Sequence, residues 1–151
     1  MVQIKKLESN DAEDFRKLVE IFTIVFEHTI EIPSVKYLAS LLANPDFMAF
    51  VVILDGKIVG GLTVYVLHQY YNVKPLAYIY DVGITPEYQG RGLGKLLIAE
   101  CCRFCKQHGF DDAYVEAEEE DVEAVAFYRK TAFSNEMLAR HFTYYLSDES
   151  E

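Results

Sequence analysis

Basic charge is scarce in this chain. Lys and Arg supply 14 of the 151 residues against 24 Asp and Glu, a formal net charge of −10 at pH 7. That deficit argues against a nucleic-acid partner, whose phosphates need a basic face. It suits a cationic substrate, drawn in and concentrated by the protein's field, and it also keeps a chain soluble. Long hydrophobic runs are missing too, so no segment reads as a membrane span and no membrane partner is expected. The opening Met1-Val-Gln-Ile-Lys-Lys lacks the apolar stretch of a signal peptide, and a cytoplasmic protein is expected. Cysteine is limited to Cys101, Cys102 and Cys105. Cys102-x-x-Cys105 has the spacing of a redox or zinc pair, but no second Cys or His pair stands at ligand spacing, so no metal is expected. Cys101 and Cys105 instead continue an apolar stripe from Leu93 and Leu97, packing as small hydrophobes, and clustered free thiols suit a reducing compartment. Repeats, linkers and low-complexity segments are absent as well. Residues 1–151 read as one domain, soluble and globular at 51% apolar and 25% charged residues.

What the chain does have is one organising run, Tyr78-Ile-Tyr-Asp81-Val82-Gly83-Ile84-Thr85-Pro86-Glu-Tyr-Gln89-Gly90-Arg91-Gly92-Leu93-Gly94-Lys95-Leu-Leu97. Its β-branched and aromatic start predicts a strand. Pro86 ends strand pairing, and Leu93, Leu96 and Leu97 then recur at helical spacing. A strand, a glycine-rich turn and a helix N-terminus make an anion site, because glycine lets the backbone come close and the first helical N–H groups lack partners. The P-loop pattern fails, since Leu96 follows Lys95 and Gln89 stands where its first glycine belongs. The dinucleotide fingerprint fails at Leu97.

Gln89-x-x-Gly92-x-Gly94, after a strand and Thr-Pro, resembles the pyrophosphate loop of the GCN5-related N-acetyltransferases, which bind acyl-coenzyme A. The resemblance implies an α/β fold with a mixed, mostly antiparallel central sheet flanked by helices on both faces. It also implies acetyl-CoA as donor, held by Gln89, Gly90, Arg91, Gly92, Leu93, Gly94 and Lys95. Backbone groups of Val82, Gly83 and Ile84 are expected to pair with the pantetheine arm. The segment from Asp121 through Ala124 and Tyr128 to Ala132 and Phe133 is similar to the family's Asn-x-x-Ala-x-x-x-Tyr-x-x-x-Gly-Phe, in which the tyrosine protonates the leaving thiolate. That implies Tyr128 as the acid, with Ala124 beside the cofactor. Asp121 replaces the asparagine and Ala132 the glycine, so the turn there is in doubt if it needs positive φ.

The rest of the chain reads around this run. Val2 to Leu7 forms a short strand, then a helix follows, capped by Asn10 or Asp11, with Phe15, Leu18, Val19, Phe22 and Phe26 on its apolar face. Ser34 caps a second helix, and the loop before it, with Glu27 and Glu31, borders the acceptor in the family's fold. Phe47 to Leu54 and Lys57 to Leu67 form a hairpin through Asp55-Gly56, and Gly60-Gly61 predicts a bulge or a close backbone approach. The wide loop carrying His68, Tyr70 and Tyr71 offers a proton carrier and stacking rings. Asp112 to Ala117 is a strand, a helix covers residues 122–130, and residues 137–146 alternate as one or two last strands. The polar tail, residues 147–151, is expected to fray.

For the base, Asp81, Glu116 and Glu118 are candidates. Asp81 is the only charge in an apolar strand, where lost hydration raises a carboxyl pKa toward the working range. Tyr-Ile-Tyr-Asp81, Tyr-Val-Glu116-Ala-Glu118 and Ala124-Val-Ala-Phe-Tyr128 resemble the type I aminoglycoside 3-N-acetyltransferases. The resemblance implies an aminoglycoside acceptor, with Asp81 and Glu118 at its site and antibiotic resistance as the role. A polycation of that kind needs a carboxylate-lined cleft, for which Asp81, Glu116, Glu118, Glu119 and Glu120 stand at adjacent strand ends. Leu76, where that family tends to have a carboxylate, and Glu119-Glu120 put the drug range in doubt. The alternatives are acetylation of a polyamine, small amine or protein N-terminus, and a non-catalytic acyl-CoA sensor. Enzymes of this fold often pair, so a homodimer is also expected.

Overall fold

The computed structural model describes residues 1–148; the rest of the predicted tail lies outside the described residues. Its elements run β1 (Val2–Lys6), α1 (Ala12–Val25), α2 (Val35–Ala43), β2 (Phe47–Leu54), β3 (Lys57–Leu67), β4 (Leu76–Ile84), α3 (Leu93–Gln107), β5 (Asp112–Val115) and α4 (Val122–Arg129). The five strands lie side by side in chain order. The first three pairings are antiparallel and β4–β5 is parallel. The antiparallel strands need only short links, whereas the parallel pair requires the crossover that α3 provides.

Helices cover both faces, as the alternation of the strands requires. On one face α3 sets Leu93, Leu97, Cys101 and Cys105 against Phe50, Val52, Leu62 and Ile79. On the other, α1 and α2 set Phe15, Leu18, Phe22, Leu38 and Leu42 against Phe47, Ala49 and Val51. Strand β2 lies between both layers, which explains its nearly continuous apolar sequence.

Local chemistry fixes the ends. The Ser34 hydroxyl accepts from the Tyr37 N–H at 3.1 Å and starts α2. Asp55 and Gly56, both at positive φ, form the predicted tight hairpin. Residues 137–146 depart from expectation: they form no strand. Alternation suits a strand only where an edge receives it, and here Met137, Leu138, Phe142, Tyr144, Tyr145 and Leu146 all stand mostly exposed.

Candidate active site

The site is created by a register fault in β4. Thr63 of β3 pairs with Asp81 while Val64 pairs with Ile79, so Tyr80 is an extra residue, a β-bulge. Side chains alternate along a strand, so one extra residue reverses which face the following residues occupy. Ile79 belongs to the α3-side core before the bulge, and Val82 and Ile84 return to it afterwards. Asp81 is thereby turned away from that core. It lines a cavity of about 230 Å³ with Phe22, Phe26, His28, Tyr37, Tyr65 and Tyr80. Gly83, on the same side, lies under α1, where an added Cβ would come within 3.2 Å of the Phe22 ring. That glycine therefore admits the helix.

Burial pushes the Asp81 carboxyl above its ordinary pKa, partly offset by the charge of His28. His28 lies just beyond α1, after Glu27 at φ 54°. Its N–H donates to the Thr23 carbonyl at 3.0 Å, and its ring lies 5.8 Å from that of Phe26. The carboxylates of that loop, Glu27 and Glu31, are not among the cavity walls; the imidazole between them, which no sequence pattern singles out, is.

Strands β4 and β5 pair only from Leu76↔Asp112 to Ile79↔Val115. Beyond that point β4 continues to Ile84 while β5 ends, so Val82, Gly83 and Ile84 are unpaired with β5. The edge that results leads into the glycine loop. The Gln89 amide donates to the Ile84 carbonyl at 2.9 Å and fastens the loop to the strand, so its side chain serves the turn. Gly90 and Gly92 adopt φ of 79° and 78°, with nothing within 4 Å of where a Cβ would stand. Both the left-handed backbone and the open space suit an anion held against main-chain N–H groups at the start of α3. Lys95 is exposed near the start of α3, and Arg91 stacks 4.9 Å above the Tyr88 ring. The residues fit a pyrophosphate and its pantetheine arm.

Helix α4 carries Tyr128, the residue expected to act as the acid. The Asp121 side chain accepts from the Ala124 N–H at 3.1 Å, capping the helix as the family's asparagine would. Phe127 rests on Gly94: a Cβ there would meet its ring at 2.9 Å. The neighbouring Tyr128 hydroxyl is pushed up to about 12 by burial, then by the charges of Asp81 and Asp121. Asp81 and Tyr128 thus lie within electrostatic reach of each other. Ala132 is not among the residues at positive φ, so the turn after α4 does differ from the glycine form.

The acidic loop lies on the β5 side of the site. Glu116 accepts from the Tyr78 hydroxyl at 2.8 Å. Glu118, Glu119 and Glu120 lie exposed on the turn into α4 and are not among the walls of the Asp81 cavity. His68 pairs with Asp46 at 2.7 Å, outside that cavity. Tyr70 and Tyr71 pack edge-to-face on each other, almost fully exposed, and are not among its walls either. The tyrosines that do line it, Tyr37, Tyr65 and Tyr80, read in the sequence as ordinary helix and strand residues.

A sheet opened beside a glycine loop, with a half-buried carboxylate on the α1 side of the same strand, suits acyl transfer. Residues 15–133 match the acetyltransferase (GNAT) family, and the chain belongs to that family, whose acetyl donor is acetyl-CoA. It is similar throughout to an aminoglycoside acetyltransferase from an uncultured soil metagenomic sample, solved in complex with trehalose and in complex with sisomicin. The two structures are 42% and 41% identical to it, each with TM-score 0.94 and 97% of both chains covered. A further aminoglycoside acetyltransferase from an uncultured soil metagenomic sample is 27% identical, with TM-score 0.87, over 97% of this chain and 99% of that chain. In sequence, the mycothiol acetyltransferase of Saccharomonospora viridis is 37% identical over 60 residues, 40% of this chain and 20% of that protein. The chain therefore spans a fifth of that curated relative.

Proposed function

We propose that the protein is an aminoglycoside N-acetyltransferase that moves the acetyl group of acetyl-CoA to the 3-amino group of the drug, conferring resistance in the cytoplasm. The observation that carries this reading is Asp81: one carboxylate, half-buried in an aromatic-lined cavity, turned there by a bulge and within electrostatic reach of Tyr128. A carboxylate among aromatic rings is a receptor for an ammonium, through its charge and through the faces of the rings. The likeness to an aminoglycoside acetyltransferase solved with sisomicin supports the same acceptor class.

Acetyl-CoA, when bound, supplies the activated acetyl carbon as a thioester. The N–H groups of the Gly90–Lys95 loop hold its pyrophosphate, and the unpaired edge of Val82, Gly83 and Ile84 aligns the arm. The bound ammonium would first lose one proton to solvent to expose its lone pair, and Asp81 would take a second proton from the resulting amine as its nitrogen bonds to the acetyl carbon. The C–S bond breaks, and Tyr128 gives its proton to the departing sulfur, to be replenished from solvent. Glu116 and the exposed Glu118, Glu119 and Glu120 attract the remaining ammonium groups at the rim.

Gentamicin and acetyl-CoA mixed with the purified protein should release free thiol and yield a singly acetylated drug by mass spectrometry, with NMR placing the acetyl on the 3-amine. Thiol release with spermidine or a peptide but not with gentamicin would discard the drug and keep the acetyltransferase. Tight acetyl-CoA binding without transfer to any amine would favour a sensor.

A further inference from the structure

The sheet carries a row of tyrosines that the transfer step does not use. Tyr65 of β3 pairs with Tyr78 of β4, and Tyr78 with Tyr114 of β5. Tyr80, two residues beyond Tyr78, lies on the same face, and the bulge brings Asp81 onto it too. Ring centroids lie 5.3 Å apart for Tyr65–Tyr80, 5.6 Å for Tyr80–Tyr78 and 4.8 Å for Tyr78–Tyr114, the last pair stacked within 8° of parallel. The row starts beside Asp81, whose cavity Tyr65 and Tyr80 line. It ends at the β5 edge, where the Tyr78 hydroxyl holds Glu116 at 2.8 Å.

This face is open. Tyr80 is 54% exposed, Tyr65 42% and Tyr114 37%. A core aromatic is enclosed, and a contiguous run of rings left in water, edge-to-face at Tyr65–Tyr80 and Tyr80–Tyr78, marks a binding surface. Burial and then the hydrogen bond with Glu116 push the Tyr78 hydroxyl up to about 12, and burial raises those of Tyr65 and Tyr114. Those three phenols therefore keep their protons at working pH, and the row joins two carboxylates.

We propose that Tyr65, Tyr80, Tyr78 and Tyr114 are a stacking platform for the sugar rings of the acceptor beyond the ring that carries the reacting amine, with Glu116 taking a second ammonium at its far end. The inference rests on the reading of Asp81 as the acceptor centre. Its occupant is an oligosaccharide bearing amines. The apolar C–H face of a sugar ring lies flat on an aromatic ring, and its ammonium groups reach the carboxylates and ring faces. Charge complementarity at both ends and continuity with the Asp81 cavity favour this occupant over a neutral peptide or a linear polyamine. The platform then sets specificity for multi-ring drugs and leaves the chemistry at Asp81 and Tyr128 unchanged.

Steady-state kinetics at saturating acetyl-CoA with Tyr114→Ala test this, using three-ring gentamicin and its single-ring core, 2-deoxystreptamine. The KM for gentamicin should rise about tenfold, the size of one aromatic contact, while that for 2-deoxystreptamine and both kcat values stay unchanged. Tyr114→Phe, which keeps the ring, should keep the gentamicin KM and covers the case in which the alanine variant fails to fold. Equal KM changes for both acceptors, or none, would overturn the platform. So would a fall in light-scattering mass in Tyr114→Ala, which would assign the face to a second copy of the chain. If the wild-type protein acetylates neither compound, the aminoglycoside reading fails by itself. Saturation-transfer NMR with trehalose then judges the platform: signal in the wild type and none in Tyr114→Ala upholds it, and no wild-type signal overturns it.

Discussion

In the proposed reaction Asp81 and Tyr128 divide the proton traffic, and their surroundings move both pKa values up from different starting points. Burial raises Asp81, and the base form is gained only as pH climbs past that raised value. Tyr128, at about 12, remains an acid throughout the working range. The profile of kcat/KM against pH should therefore rise along one limb set by Asp81, above the pH at which an ordinary aspartate titrates, without a falling limb from Tyr128. His28 opposes the shift, so His28→Ala should move that limb to higher pH; a limb that stays in place would show that the imidazole does not act on Asp81. Tyr128→Phe should lower kcat about 100-fold, the usual scale for a positioned general acid, and leave the acetyl-CoA Kd nearly unchanged. Isothermal titration alongside turnover separates the two effects. Asp81 was legible in the sequence as a lone charge in an apolar strand. His28 was not, because its role depends on a helix end that brings it over β4.

At the scale of elements, β4 and its neighbours are held by close backbone approaches. A Cβ on Gly60 would stand 2.4 Å from the Gly83 carbonyl oxygen, and one on Gly61 would stand 2.3 Å from that of Phe50. Neither oxygen can retreat without breaking sheet pairing. Gly60→Ala should destabilise the fold by about 1–3 kcal/mol, read as a lower denaturant midpoint. Gly94→Ala meets a movable ring instead, so it should shift Phe127 and Tyr128 and reduce kcat more than stability. The paired glycines announced the first of these constraints in the sequence. The strand, loop and helix of the cofactor site were equally legible, since each has its own local code: β-branched residues, glycines at positive φ and leucines at helical spacing. The Tyr80 bulge was not. A bulge depends on the partner strand's register, and the run Tyr78-Ile-Tyr-Asp81 reads as regular alternation when seen alone. The predicted last strands failed for the same reason, because alternation in residues 137–146 carries no information about which edge would receive them.

At the scale of the whole molecule, the net charge of −10 surrounds an aromatic site holding a single half-buried carboxylate. For the proposed polycationic acceptor, long-range attraction would gather the drug and the local cavity would orient it, so the two contributions would respond differently to salt. Raising ionic strength from about 0.01 to 0.15 M shortens the screening length from about 30 to 8 Å. The KM for gentamicin should increase over that range while kcat holds steady; a salt-independent KM would show that the acidic surface does not steer the drug. No helix among the described residues is long and apolar enough to cross a membrane. The sequence indicated the sign of the field; Glu118, Glu119 and Glu120 stand exposed on the turn into α4.

The most direct test of the account is acetyl transfer to gentamicin by Asp81→Asn at saturating acetyl-CoA, measured with thermal stability on the same sample. The raised pKa means that the native carboxyl holds a proton where the unfolded one has lost it, so its contribution to stability is lost as pH rises through the folded value. Above that value the charged, half-buried group is a cost that asparagine removes. Transfer should fall at least about 100-fold while the melting temperature at neutral pH holds or rises. A variant that transfers acetyl at the wild-type rate would contradict the assignment of Asp81 as the base and, with it, the central claim.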